Sequence, residues 1–123
     1  LINSSLEKQK ILGFSALNNS NISEVINKFV KKDNWKLFDE SFFGGYAKFN
    51  NELINFINNF YKKHNIKLDS VYNAKMIFRI LDLINNNNWD FGKNILVINT
   101  GGTQSVEGIN KLLKKKGCGT INY

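Results

Sequence analysis

Proline is absent from this chain, and cysteine, histidine, methionine and arginine occur once each. A single Cys118 excludes an internal disulfide, which makes a reducing, cytoplasmic setting the expectation. No carboxylate, cysteine or second histidine stands at ligand spacing from His64, so the residues offer no metal site. No apolar run approaches the ~20 residues of a membrane span. No signal peptide stands at the N-terminus, which opens at Leu1 without an initiator methionine and so reads as a piece of a longer chain. The chemistry-bearing motifs are missing too. No G-K-[ST] follows a glycine-rich loop, no G-x-S-x-G elbow is present, and no pair of acids stands at a credible site.

What is present is a basic chain of 123 residues with formal net charge +7, rich in Asn, Lys, Ile and Phe. Such a charge raises the question of nucleic acid. The lysines are scattered, however, apart from Lys114-Lys115-Lys116 and pairs such as Lys31-Lys32, and Arg79 is the one arginine, the usual base reader. The skew in composition reads as a coding bias towards A and T, so a solvated basic face is expected and a nucleic-acid partner is not. The length suits one domain, and no Pro- or Ser-rich linker marks a boundary.

The pattern organises around Asn94–Ser105. Ile95, Leu96, Val97 and Ile98 form an unbroken apolar run, which reads as a strand covered on both faces, as in a parallel sheet. Thr100, Gly101 and Gly102 follow it, and ligands of open α/β sheets sit just beyond the C-terminal ends of strands. Before this run, residues 1–9 read as a helix tail with Ile2 and Leu6 on one face, and Lys10–Leu17 as a buried strand. Asn18–Asn21 is a polar turn. Ser23 is placed to cap a helix running to about Lys31 with Val25, Ile26, Phe29 and Val30 as its stripe. Trp35–Phe38 is a second strand, leading into the aromatic, glycine-paired loop Phe42–Tyr46.

Asn50 is expected to cap a helix with Leu53, Phe56, Ile57, Phe60 and Tyr61 along one face, and with Lys62, Lys63 and His64 at its C-terminal end. Asp69 or Ser70 caps another, with Met76, Ile77, Ile80, Leu81 and Ile84 as its stripe. Tyr72 falls in the first turn, where unpaired N–H groups favour an anion. Val106–Lys116 makes a last helix. The order α-β-α-β-α-α-β-α predicts an α/β fold: an open, mostly parallel twisted sheet with flanking helices.

Three stretches carry a resemblance: F-F-G-G-Y-A-K (Phe42–Lys48), L-D-S-V-Y-N-A-K-M (Leu68–Met76) and I-L-V-I-N-T-G-G (Ile95–Gly102). In order and spacing they are similar to F-G-G-Y-A-K, L-D-P-V-Y-T-G-K-M and I-L-A-I-H-T-G-G of the 1-aminocyclopropane-1-carboxylate deaminase and D-cysteine desulfhydrase family. These are enzymes dependent on pyridoxal 5'-phosphate (PLP). The similarity runs over nearly the whole chain. It implies a tryptophan-synthase β-like, fold type II PLP enzyme, of which residues 1–123 would be the C-terminal portion of the large cofactor-binding domain. The family's Schiff-base lysine, Ser-Asn-His loop and phosphate loop would lie upstream, so this chain alone is expected to be inactive.

The resemblance also assigns residues. Tyr46 and Tyr72 match active-site tyrosines, and Thr100 matches the residue that hydrogen-bonds the cofactor's ring nitrogen, with Gly101 and Asn73 beside it. A neutral hydroxyl does not hold a proton on a pyridine nitrogen as a carboxylate would, which suits elimination chemistry. Asn73 and Ala74 replace the family's usual Thr and Gly, and Asn99 replaces His. Ring-opening deaminases tend to carry Glu and Leu at the positions of Asn73 and Thr100, so the departures favour α,β-elimination on a small amino acid such as D-cysteine. A homodimeric parent is the family expectation. The alternatives are a non-catalytic remnant or interaction protein and, less favoured, a basic nucleic-acid module.

Overall fold

A computed structural model describes residues 1–17, 21–39 and 42–123, and for Phe42 the backbone alone. Asn18–Ser20 of the expected polar turn lie outside the described residues. The chain divides into two compact units, Leu1–Ser41 and Phe42–Tyr123.

The first unit is a βαβ element. Strand β1 (Ile11–Phe14), helix α1 (Ile22–Asn27) and strand β2 (Trp35–Phe38) follow one another. The two strands pair in parallel, with Ile11 opposite Trp35 and Phe14 opposite Phe38. At the end of the ladder the Phe14 and Phe38 rings stack 4.8 Å apart. Asparagine amides tie the N-terminal segment to the residues entering β2. Asn34 donates to Ser5 Oγ at 2.9 Å and to the Gln9 carbonyl at 2.7 Å. Asn3 accepts from the Lys31 N–H at 2.8 Å and donates to the Phe29 carbonyl at 3.0 Å.

Two expectations are corrected here. Residues 1–9 form only a 3₁₀ turn at Ile2–Ser4, and Leu1 and Leu6 are exposed. So short a segment, rich in Asn and Ser, has too few hydrogen bonds to offset helix nucleation. Helix α1 starts at Ile22 after Asn21, without a side-chain cap, and ends at Asn27. Val25 and Phe29 of its expected stripe are exposed.

The second unit is helical. Helix α2 (Asn51–His64) begins where Asn50 Oδ1 accepts the Leu53 N–H at 2.9 Å, the expected cap. It ends at Asn65, whose φ of 54° is left-handed and whose N–H returns to the Tyr61 carbonyl at 2.7 Å. Helix α3 spans Asn73–Asn85 and helix α4 Val106–Lys115, the latter entered through a 3₁₀ turn at Thr103–Ser105. Leu53, Ile54 and Ile57 of α2, Ala74 of α3, and Val106, Ile109 and Leu113 of α4 share one core with Leu68 and Ile121. The buried face of α3 is rotated from the expected stripe: Ile80 and Leu83 are buried, whereas Leu81 and Ile84 are more than a third exposed.

The C-terminal tail is pinned by two amides acting as substitute ladder partners. Asn58 donates to the Thr120 carbonyl and accepts from the Asn122 N–H, and Asn110 does the same for the carbonyl and N–H of Ile121.

The main correction concerns the run at Ile95–Ile98. It is no strand: the stretch has no regular structure, and Leu96 is 89% exposed. A central parallel strand exists only with hydrogen-bonding neighbours and covered faces. Among the described residues the only strands are β1 and β2, which pair with each other. The fold is therefore mixed helix and strand with a two-stranded parallel sheet, which is compatible with α/β but carries no sheet around this run. No helix among the described residues is long and apolar enough to cross a membrane.

Candidate functional site

The start of α3 is organised by Asp69. Its carboxylate is buried and accepts the N–H groups of Val71 at 2.9 Å, Tyr72 at 2.7 Å and Asn73 at 2.9 Å. Of these, only Asn73 lies in the helix, Val71 and Tyr72 standing in the turn before it, and a carboxylate is the charge that helix end favours. The sequence left Asp69 or Ser70 as the cap and the N-terminus open to an external anion; the capping residue is instead Tyr72, without a side-chain cap bond, and Asp69 braces the turn before it. The chain's own carboxylate takes the first of the helix donors, the Asn73 N–H.

Asn73 joins this helix start to the segment after the apolar run. Its buried side-chain amide donates to Asp69 Oδ2, to the Gly101 carbonyl at 3.0 Å and, at 3.5 Å, to Thr100 Oγ1. Its oxygen accepts the Thr100 N–H at 3.3 Å. Gly102 lies against the same carboxylate with φ of 95°, and a Cβ there would stand 3.1 Å from Asp69 Cβ, so glycine is favoured by conformation and the approach is tight. Asn99 adds a contact at 3.3 Å to the Lys67 carbonyl. The run itself is bare, but its C-terminal end is fixed.

The tyrosines meet at the other side of this helix start. The Tyr46 and Tyr72 rings lie 6.0 Å apart, both about half exposed. The Tyr46 hydroxyl, as hydrogen-bond partner, holds the Tyr72 hydroxyl above the ordinary tyrosine range, and desolvation and the charges of Tyr46 and Asp69 act in the same direction. Tyr72, like an ordinary tyrosine, is protonated at neutral pH and can donate.

The five residues singled out in sequence thus fall into two linked groups. Tyr46 stands with Tyr72, and Thr100 and Gly101 are held by Asn73, the residue after Tyr72. Thr100 is an exposed residue beside a buried amide, whereas Asn73 spends its own polar atoms inside the chain. Ala74 packs its methyl into the core.

Sequence reasoning missed Lys75 and Phe78 as part of this arrangement. Their signal was the spacing Tyr72, Lys75, Phe78, which puts three large side chains on one face of α3. His64 ends α2 and packs its ring 4.6 Å from that of Phe60, as a helix-terminal residue does.

No protein-family model, curated protein or solved structure matches this chain.

Proposed function

We propose that the chain is the C-terminal portion of the large domain of a fold type II, PLP-dependent enzyme similar to 1-aminocyclopropane-1-carboxylate deaminase and D-cysteine desulfhydrase, with α,β-elimination from a D-cysteine-like substrate favoured. The observation that carries the reading is convergence. Residues from three separate stretches, Tyr46, Tyr72-Asn73 and Thr100-Gly101, are drawn together at one helix start. Those are the stretches on which the resemblance rests.

The donor set fits the ring of PLP. Thr100, an exposed residue, offers a neutral hydroxyl that can donate outwards. When bound, PLP supplies the electron sink that makes a substrate α-proton removable. The chain's own contributions are then three. Thr100 orients the ring without charging it, Asn73 and Asp69 hold Thr100, and Tyr72, protonated beside Tyr46, donates to the leaving sulfur.

The test is sulfide and pyruvate release from D-cysteine, and 2-oxobutanoate from 1-aminocyclopropane-1-carboxylate, by the gene product that carries this sequence. Elimination with D-cysteine, reduced at least ~10²-fold by Tyr72→Phe, supports the reading; no turnover of either substrate with PLP present removes it.

A second reading, a non-catalytic remnant or interaction protein, is favoured by the exposed run at Ile95–Ile98. Turnover by the 123-residue chain alone would exclude that reading.

A further inference from the structure

We infer that Lys75 is the positioning residue of the tyrosine pair: its buried ammonium tethers the Gly45 carbonyl and so fixes the loop that carries Tyr46 against Tyr72. The catalytic meaning of this tether rests on the function proposed above; the tether itself does not.

The loop cannot hold its own shape. Phe43 and Ala47 have φ of 56° and 51°, and Gly44 and Gly45 have 81° and 99°. For a bulky residue such as Phe the left-handed region is costly and persists only when the surroundings impose it. Helix α3 supplies the imposing contacts, one per turn of its face. The Phe78 ring meets the Phe43 ring edge-on at 4.8 Å. Lys75 Nζ donates to the Gly45 carbonyl at 2.5 Å, and that carbonyl also accepts the Lys48 N–H at 3.3 Å. Tyr72 meets Tyr46. The loop thus runs back along the helix, and Lys75 holds the residue immediately before Tyr46.

Lys75 is an unusual group for this duty. It is 6% exposed, and no carboxylate pairs with it among the described residues. Its other neighbour is the Phe49 ring, 6.0 Å from the ammonium. Burial pushes its pKa below the ordinary lysine value. A buried amine serving one carbonyl costs desolvation that a methionine would not. The return is a located loop.

The experiment is an NMR pH titration of the chain labelled at tyrosine Cζ, with resonances assigned by single Tyr→Phe variants. Tyr46 and Asp69 are the groups that raise Tyr72, and Lys75 is the cation behind the loop. The tether predicts that Lys75→Met lowers the Tyr72 titration towards the ordinary tyrosine value of about 10, to the same endpoint as Tyr46→Phe. It also predicts that Lys75→Met adds nothing in the Tyr46→Phe background.

An unchanged or raised Tyr72 titration in Lys75→Met overturns the inference, as does a lowering that persists in the Tyr46→Phe background. If Lys75→Met loses the helical circular dichroism, Lys75→Gln is read by the same criteria. Its amide is one bond too short to reach the carbonyl but keeps a polar group. Turnover enters none of these readouts, so failure of the proposed function and failure of the tether are separately visible.

Discussion

Ile11–Phe14 and Ile95–Ile98 are two apolar runs of four residues with opposite fates. By propensity the second is the better strand: three of its four residues are β-branched, whereas the first contains Gly13. Yet the first is paired residue for residue with Trp35–Phe38, and the second has no regular structure. The difference lies in what each run has for company. A βαβ element brings its own second strand within one crossover. The later run is flanked by α3 and α4, which bury their faces against α2, Leu68 and Ile121 rather than against it. Partner supply, not local preference, decides which apolar run becomes a strand.

If that account is right, the unit from Phe42 to Tyr123 stands on its helices. The largest effect should come from Leu53→Ala, since Leu53 is fully buried in the three-helix core. Truncation there should cost ~2–5 kcal/mol, measured as the shift in urea midpoint followed by helical circular dichroism. An effect below ~1 kcal/mol would mean that something other than this core carries the unit.

The fixed end of the bare run offers the next effect. Asp69→Ala removes the acceptor for three backbone N–H groups and for the Asn73 amide. The expected loss is ~1–3 kcal/mol, with faster hydrogen exchange at Thr100, whose N–H rests on Asn73. Unchanged exchange at Thr100 would separate the run's anchor from the helix start.

What could be read from sequence follows the same division. Local features were legible. They include the Asn50 cap, the span of α2 and the bounds of β2, because each depends on residues within one or two turns. The meeting of Tyr46, Tyr72, Asn73 and Thr100 was reachable through the resemblance alone, since nothing in periodicity joins positions so far apart. The asparagines were the least legible. Read as composition, they look like coding bias, yet Asn34, Asn58, Asn73 and Asn110 each use a side-chain amide to pin a distant backbone segment. A side chain that donates and accepts at once can replace a missing strand neighbour, and no sequence pattern announces where it will do so.

The tail gives a pH-dependent comparison. Tyr123 donates its hydroxyl to the Leu68 carbonyl, and desolvation, with the charge of Asp69, raises its pKa to about 12. A phenol whose folded pKa lies above its unfolded value of about 10 binds more protons in the folded state between the two. Its stabilisation is therefore complete below pH ~10 and is lost as pH rises towards ~12. Lys75 acts with the opposite sign, because its lowered pKa relieves the folded state as the ammonium deprotonates. Tyr123→Phe should flatten the fall in stability across that window. A wild-type slope in the variant would place the alkaline sensitivity elsewhere.

The smallest effect is the most telling about the run. Leu96 is 89% exposed, so Leu96→Lys moves almost no apolar surface between water and protein. Stability of the chain should change by no more than ~0.5 kcal/mol, and binding of a hydrophobic dye should fall as the patch is interrupted. Under the proposed function the same position lies in a central strand of a completed sheet. There a lysine would be a buried, unpaired charge costing several kcal/mol. One substitution thus separates the two settings. Near-neutrality in this chain with severe loss in the larger gene product would mean that the run is a strand waiting for neighbours. Equal, small effects in both would mean that Ile95–Ile98 is a surface segment in its own right, and would take away the sheet on which the enzyme reading depends.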